Sequence, residues 1–149
     1  SIGLYKPLFM FSANPGSPLE PLNKVASGGE QSRVKLALKA ALGKHITLSC
    51  QIFDEIDTGI SGATAEKVGN LMSELANNQQ IITITHLPQV ASKGNTHWLI
   101  SKSSTETTTE SSVNVLTDEA RVEELARMLS GAKITQAAKN QAEALLKAR

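Results

Sequence analysis

At 149 residues, with 40% hydrophobic and 19% charged content, the chain is of a size and composition that gives one globular domain with a real core. Its net charge of +1 gives no global case for a nucleic-acid or acidic-membrane surface. No apolar run approaches the roughly 20 residues of a membrane span, and no signal-peptide pattern opens the chain. The single cysteine, Cys50, lies in an apolar run. It excludes a disulfide framework, reads as a small buried hydrophobe, and suits a reducing compartment. The start at Ser1, without an initiator methionine, reads as that of a fragment.

In chain order, Leu8-Phe9-Met10-Phe11 is a short apolar strand stopped by the turn formers Asn14-Pro15-Gly16-Ser17-Pro18. A loop follows. Val34, Ala37, Leu38, Ala41 and Leu42 then recur at i, i+3, i+4, i+7 and i+8, which predicts a helix with that face inward. Ser27-Gly28-Gly29 stands at its start. Serine is a favoured N-cap, and the glycines with the free N–H groups suit an anion; an ordinary capped helix is the plainer reading. Cys50 to Glu55 reads as a buried strand that delivers Asp54 and Glu55 to its carboxyl end before a sharp turn. The segment from Gly62 to Ala76 is a helix packing Val68, Leu71, Met72, Leu75 and Ala76. Ile81 to Thr85 is a β-branched strand ended by His86-Leu87-Pro88. Strand, helix and strand at this spacing predict parallel strands, which bring His86 beside the two carboxylates. A histidine there serves either as a structural hydrogen bonder or as part of a site.

Farther on, residues 96–100 and 113–116 predict an antiparallel pair joined by a solvated Ser/Thr-rich loop from Ser101 to Ser112. His97 reads as a strand residue. Asp118 to Ser130 carries Val122, Leu125, Ala126 and Leu129 at helical spacing and ends at Gly131. A last helix from about Ile134 to Lys147 presents Ala138, Ala142, Leu145 and Leu146. The fold class is therefore α/β.

An anion-binding helix start, a strand-end Asp-Glu pair and a neighbouring strand-end histidine fit phosphoryl transfer, with one carboxylate for Mg²⁺ and the next for water. A phosphate loop is missing. The Gly43-Lys44 pair is followed by His45 and has Leu38 where the first glycine of Gly-x-x-x-x-Gly-Lys-[Ser/Thr] belongs.

Three segments carry a resemblance. Val25 to Arg33 resembles the signature motif of ABC-type ATPases, Ile52-Phe53-Asp54-Glu55 their Walker B strand, and Ile84-Thr85-His86 their switch histidine. More narrowly, Ser12 to Gly16, Lys24 to Arg33, Phe53 to Gly62, Thr85 to Ala91 and Glu124 to Gly131 resemble, in order, the carboxyl-terminal part of the RecN family. These are bacterial, SMC-like ATPases of DNA double-strand-break repair. The resemblance implies the carboxyl-terminal half of an ABC/SMC-type P-loop ATPase head over residues 1–149. The Walker A half and the coiled coil precede it in the family, which accounts for the missing phosphate loop. It also implies a bacterial, cytoplasmic, nucleoid-associated protein whose partners are that amino-terminal half, a second head in an ATP-dependent homodimer, and DNA, with no membrane.

The resemblance further implies ATP and Mg²⁺ as cofactors, with Asp54 supporting the metal, Glu55 polarising the hydrolytic water and His86 sensing the γ-phosphate. Ser27, Gly28, Gly29 and Glu30 of the signature motif would meet the ATP held by the opposite head. Asp57, Gly59 and Ser61 would lie in the D-loop that crosses the dimer. Ala26 and Ser61 depart from the residues of many ABC proteins but agree with the RecN pattern, whereas Gln31 replaces a usual leucine. Lys24 and Arg33 either support phosphate charge or are solvated positions. A non-enzymatic dimerisation or DNA-interaction module is the competing class. A transporter subunit is disfavoured by Thr58 to Gly62 and His86-Leu87-Pro88-Gln89.

Overall fold

The computed structural model describes residues 3, 8–12, 15–25, 28–43, 49–54, 56–104 and 108–148. Strands β1 (Met10–Phe11) and β2 (Glu20–Pro21) pair antiparallel, Met10 opposite Pro21. Pro21 brings no N–H to a ladder, which suits so short an edge pair. A single turn, α1 (Leu22–Val25), leads to the long helix α2 (Gly28–Gly43). Strand β3 (Cys50–Phe53), helix α3 (Gly62–Ala76), strand β4 (Gln80–Thr83) and the short α4 (Pro88–Ala91) follow. The chain continues through the hairpin β5 (Trp98–Ser104) and β6 (Thr109–Val115), then α5 (Asp118–Ser130) and α6 (Gln136–Lys147).

The βαβ expectation holds. β3 and β4 pair parallel, with Cys50 opposite Gln80 and Phe53 opposite Thr83, and Ile84 N–H continues the ladder to the Phe53 carbonyl at 2.9 Å. Both strands therefore end at one level, and the residues after them emerge side by side. One core lies against this pair. Leu36 of α2, Phe53, Ile56, Val68 and Met72 of α3, and Val90 of α4 are buried together, with Leu71, Leu75 and Ile81 packed on them. A second core joins α5 and α6 through Leu125, Ala126, Ala138 and Ala142, with Ala91 of α4 against it. Adjacent residues of α4 thus serve both cores.

Several expectations need correction. The helix over 28–43 is present, but its buried stripe is Gly29 and Leu36, with half-buried Arg33 and Ala40 at helical spacing. The expected apolar stripe lies on the other side: Ala37, Leu38, Ala41 and Leu42 are exposed and Val34 half-buried. Spacing identifies a stripe, but the neighbours decide which stripe turns inward. Cys50 is exposed rather than buried, and so is Ile52, at 59%. In β3 only Gln51 and Phe53 point into the core. Strands of a parallel sheet are normally covered on both faces; here one face of β3 is bare.

The Ser/Thr-rich run is also mostly strand. β5 and β6 stay in register to Ser104 opposite Thr109. Hydroxyls pair across the ladder, Ser101 with Ser112 at 2.8 Å and Ser104 with Thr109 at 3.1 Å. Such cross-strand pairs hold a hairpin that lacks apolar content at its tip. Helices α3 and α5 match their expected spans, and α6 begins at Gln136, after the capping hydroxyl of Thr135, rather than near Ile134.

Candidate functional site

The alternation of β3 sets the site. With Gln51 and Phe53 inward, Asp54 leaves the strand end on the exposed side. Glu55 lies outside the described residues, as does Ser27. The chain then makes a turn over residues 56–59, in which Ile56 returns to the core and Asp57 is buried to 2% exposure. The Ile60 N–H closes on the Asp57 carbonyl at 3.3 Å. Gly59 takes φ 72°, a left-handed conformation that glycine adopts without strain. Ser61 then occupies the N-cap position of α3 with an extended backbone and no side-chain cap bond.

A buried carboxylate must be matched by donors, and the residues just after β4 supply them. The Thr85 hydroxyl donates to Asp57 Oδ2 at 2.5 Å, and the His86 backbone N–H donates to the same oxygen at 2.9 Å. His86 Nδ1 lies 3.2 Å from it. The Thr85 oxygen also accepts the Leu87 N–H at 3.0 Å, just before Pro88 opens α4. Pro88 at the first helical position has no N–H to leave unsatisfied. The His86 ring itself stays 72% exposed. Asp54, Asp57, Thr58, Ile84, Thr85 and His86 line one open cleft at these strand ends.

The start of α2 stands beside that cleft. A Cβ on Gly29 would come within 2.4 Å of the Thr58 carbonyl oxygen and 3.1 Å of Arg33 Nη1. Only a glycine allows this helix start to press against the 56–59 turn. Arg33 Nη1 is buried there without a hydrogen-bond partner among the described residues. Gly28 is exposed with open space around its Cα, and Glu30 lies half-buried in the first turn of the helix. The structure therefore brings Asp54, Asp57 and His86 into one place and sets Gly29 against its rim; Gly28, Glu30, Gly59 and Ser61 do not line the cleft. Sequence reasoning missed Thr85 as a site-building residue and the inward turn of Asp57. The signal was a Thr-His step at a strand end opposite an aspartate in a turn.

For a metal, the donor chemistry is sparse. Among the described residues no three His, Cys, Asp or Glu side chains cluster as a ligand set. Asp54, one exposed carboxylate, fits Mg²⁺, which keeps several waters and is commonly held by one or two carboxylates together with substrate phosphates.

No family model matches the chain. Curated relatives do. The DNA repair protein RecN of Xylella fastidiosa strain Temecula1 is 48% identical over 139 residues, covering 93% of this chain and 25% of that protein. RecN of Halalkalibacterium halodurans is 44% identical over 138 residues, covering 93% and 24%. The expected resemblance to RecN is thus found along nearly the whole chain, which spans about a quarter of the length of these relatives. Among solved structures, the Smc head domain with coiled coil and joint from Pyrococcus yayanosii superposes with a TM-score of 0.61 at 24% identity, over 79% of this chain and 21% of that one. An SMC ATPase from work on ATP-driven dimerization and DNA-stimulated activation gives 0.57 at 24% identity, over 79% and 70%. The fold is that of the SMC ATPase head. No helix among the described residues is long and apolar enough to cross a membrane.

Proposed function

We propose that this chain is the carboxyl-terminal half of an ABC-type ATPase head that, in an intact RecN-like protein, hydrolyses ATP between two heads in DNA double-strand-break repair. The observation that carries the proposal is the convergence of Asp54 and His86 on one cleft at the ends of neighbouring parallel strands, the place where open α/β folds bind ligands. In this reading Asp54 holds Mg²⁺, whose chemistry when bound is to neutralise charge on the phosphates. Glu55 orients and deprotonates the attacking water, and His86 meets the γ-phosphate. Ser27, Gly28, Gly29 and Glu30 face the nucleotide of the opposite head, and the segment of Asp57, Gly59 and Ser61 crosses the dimer. DNA is the partner of the assembled protein, in the bacterial cytoplasm at the nucleoid.

The bare surfaces support an incomplete head. Ile52 and Ile84 at the strand pair, and Leu38 and Leu42 on α2, are large apolar side chains left exposed. Parallel strands are normally buried on both faces, so a Walker A half with its coiled coil has sheet and helix surface to cover. The proposal makes the chain alone incompetent. Calorimetric titration of ATP and Mg²⁺ into the 149-residue chain should give no tight stoichiometric binding and no turnover, and the opposite result would sink the half-head reading. For the intact protein, sedimentation should show ATP-dependent dimerisation of heads. Dimerisation indifferent to ATP would favour the non-enzymatic interaction module.

A further inference from the structure

Asp57 lies in the segment that the family resemblance assigns to the crossing of a head dimer, yet its carboxylate is turned into its own chain. Its side chain is 3% exposed while the His86 ring beside it is 72% exposed. Little packing can orient so exposed a ring, so its direction must come from polar contacts. Those contacts converge on one atom: Asp57 Oδ2 accepts the Thr85 hydroxyl and the His86 backbone N–H, and the Nδ1 edge of the His86 ring lies 3.2 Å from it. A carboxylate oxygen only accepts, so a ring nitrogen held 3.2 Å from it is favoured with its proton in place. That leaves Nε2 as the ring atom presented to the cleft, the partner of one nitrogen setting the role of the other.

The turn that carries Asp57 is itself held from outside. Thr58, the next residue, takes the close approach of Gly29 at the start of α2. A contact path thus runs from Gly29 of the helix start through the 56–59 turn to the histidine. We propose that Asp57 is a positioning residue that acts through His86, fixing the ring with its proton on Nδ1 and Nε2 toward the cleft and tying that orientation to the 56–59 turn. The catalytic consequence rests on the reading that His86 meets bound nucleotide; the ring orientation does not.

Two measurements test it. Nitrogen-resolved NMR of the His86 ring, on the folded 149-residue chain above neutral pH, should show the Nδ1-protonated form. Asp57→Asn, which can keep an oxygen at the shared position, should preserve it, and Asp57→Ala should release it to a tautomer mixture. A proton on Nε2, or a ring unchanged by Asp57→Ala, overturns the inference. Should Asp57→Ala fail to fold, Thr85→Val leaves the carboxylate in place but removes one donor, and the ring should then keep its Nδ1 proton, since Nδ1 contacts Asp57 directly; loss of the form in that variant overturns the direct contact.

In the intact protein, Asp57→Ala should lower kcat about tenfold, the low end for partners that orient a functional histidine, with little change in KM and recovery in Asp57→Asn. Placed on a His86→Ala background it should cost nothing further, because the two act as one unit. Multiplicative losses overturn the coupling. An intact wild-type protein without ATPase activity removes the proposed function, while the ring spectrum still decides the clamp.

Discussion

The two cores of this chain differ in how they are finished. The α5–α6 pair is closed on itself: Ala126, Ala138 and Ala142 let the helices approach, and Val122, Leu129 and Leu146 cover the contact. Thr117 and Thr135 cap the two N-termini, Lys139 pairs with Glu123 between the helices, and Lys93 reaches the Ala148 carbonyl at the chain's end. The strand unit that holds Asp54 and His86 is finished on one side only. Phe53 is sealed at 3% exposure while Ile52, the next residue along the strand, faces out. The α5–α6 core is covered by its own helices and by Ala91 of α4; the open one holds the cleft and presents surface that a further layer would bury.

Core truncations break that comparison most forcefully. Phe53→Ala should cost about 3–5 kcal/mol and Leu125→Ala about 2–5 kcal/mol, as buried large-to-small changes do. Because Val90 and Ala91 of α4 serve the two cores in turn, both variants should shift a single urea transition. If Phe53→Ala melts the strand unit and leaves a separate helical transition, the cores are independent, and the closed pair stands alone in the literal sense.

The next effect concerns chemistry on the open side. In the intact protein Glu55→Gln should keep ATP binding while slowing hydrolysis at least about a hundredfold, the usual weight of a positioned general base. Single-turnover hydrolysis with parallel nucleotide-binding assays reads both. Unchanged turnover would remove Glu55 from the reaction and leave the cleft without its proposed base.

The seam between the cores is predicted to be tight. A Cβ on Gly69 of α3 would sit 2.8 Å from the Gln89 carbonyl oxygen and 3.4 Å from Val90 Cα, both backbone. Gly69→Ala must therefore push α4 away, at a cost of about 1–3 kcal/mol for overpacking. Thermal melting should fall accordingly, and a melting point equal to wild type would show that α3 and α4 are free to slide.

Much of this was legible in the sequence, for reasons that differ by element. The span of α5 could be read because its periodicity, its capping threonine and Gly131 agree, and local agreement of that kind survives tertiary context. The parallel pairing of β3 and β4 followed from strand, helix and strand spacing, and with it the meeting of Asp54 and His86. The inward face of α2 was not legible: Gly29, Arg33, Leu36 and Ala40 form a stripe less apolar than the one left bare, and only a neighbouring layer determines which is covered. Nor was the strand character of 101–104 and 109–112, where hydroxyl pairs replace apolar ones. Asp57 was read as part of the turn that leaves β3, but that its carboxylate turns inward depends on Thr85, 28 residues away.

The smallest predicted effect falls on the closed side, where it distinguishes burial from surface charge. His97 sits just before β5, its carbonyl bonded to the Leu116 N–H at 2.9 Å and its Nδ1 buried without a partner among the described residues. Burial, and then the nearby Arg121 guanidinium, hold its pKa below the ordinary 6.5, with Glu124 opposing weakly. The folded chain therefore prefers the neutral ring, while the unfolded chain takes up a proton near 6.5. Stability from this group is fully present above that value and is lost as pH falls through the folded pKa. Glu119, held low by its own backbone N–H and the Thr117 hydroxyl, acts in the same direction but only below its ordinary 4.5. Urea midpoints should fall between about pH 7.5 and pH 5.5 in the wild type and fall less in His97→Gln. An equal fall in both would assign the pH dependence to groups on the open side of the molecule.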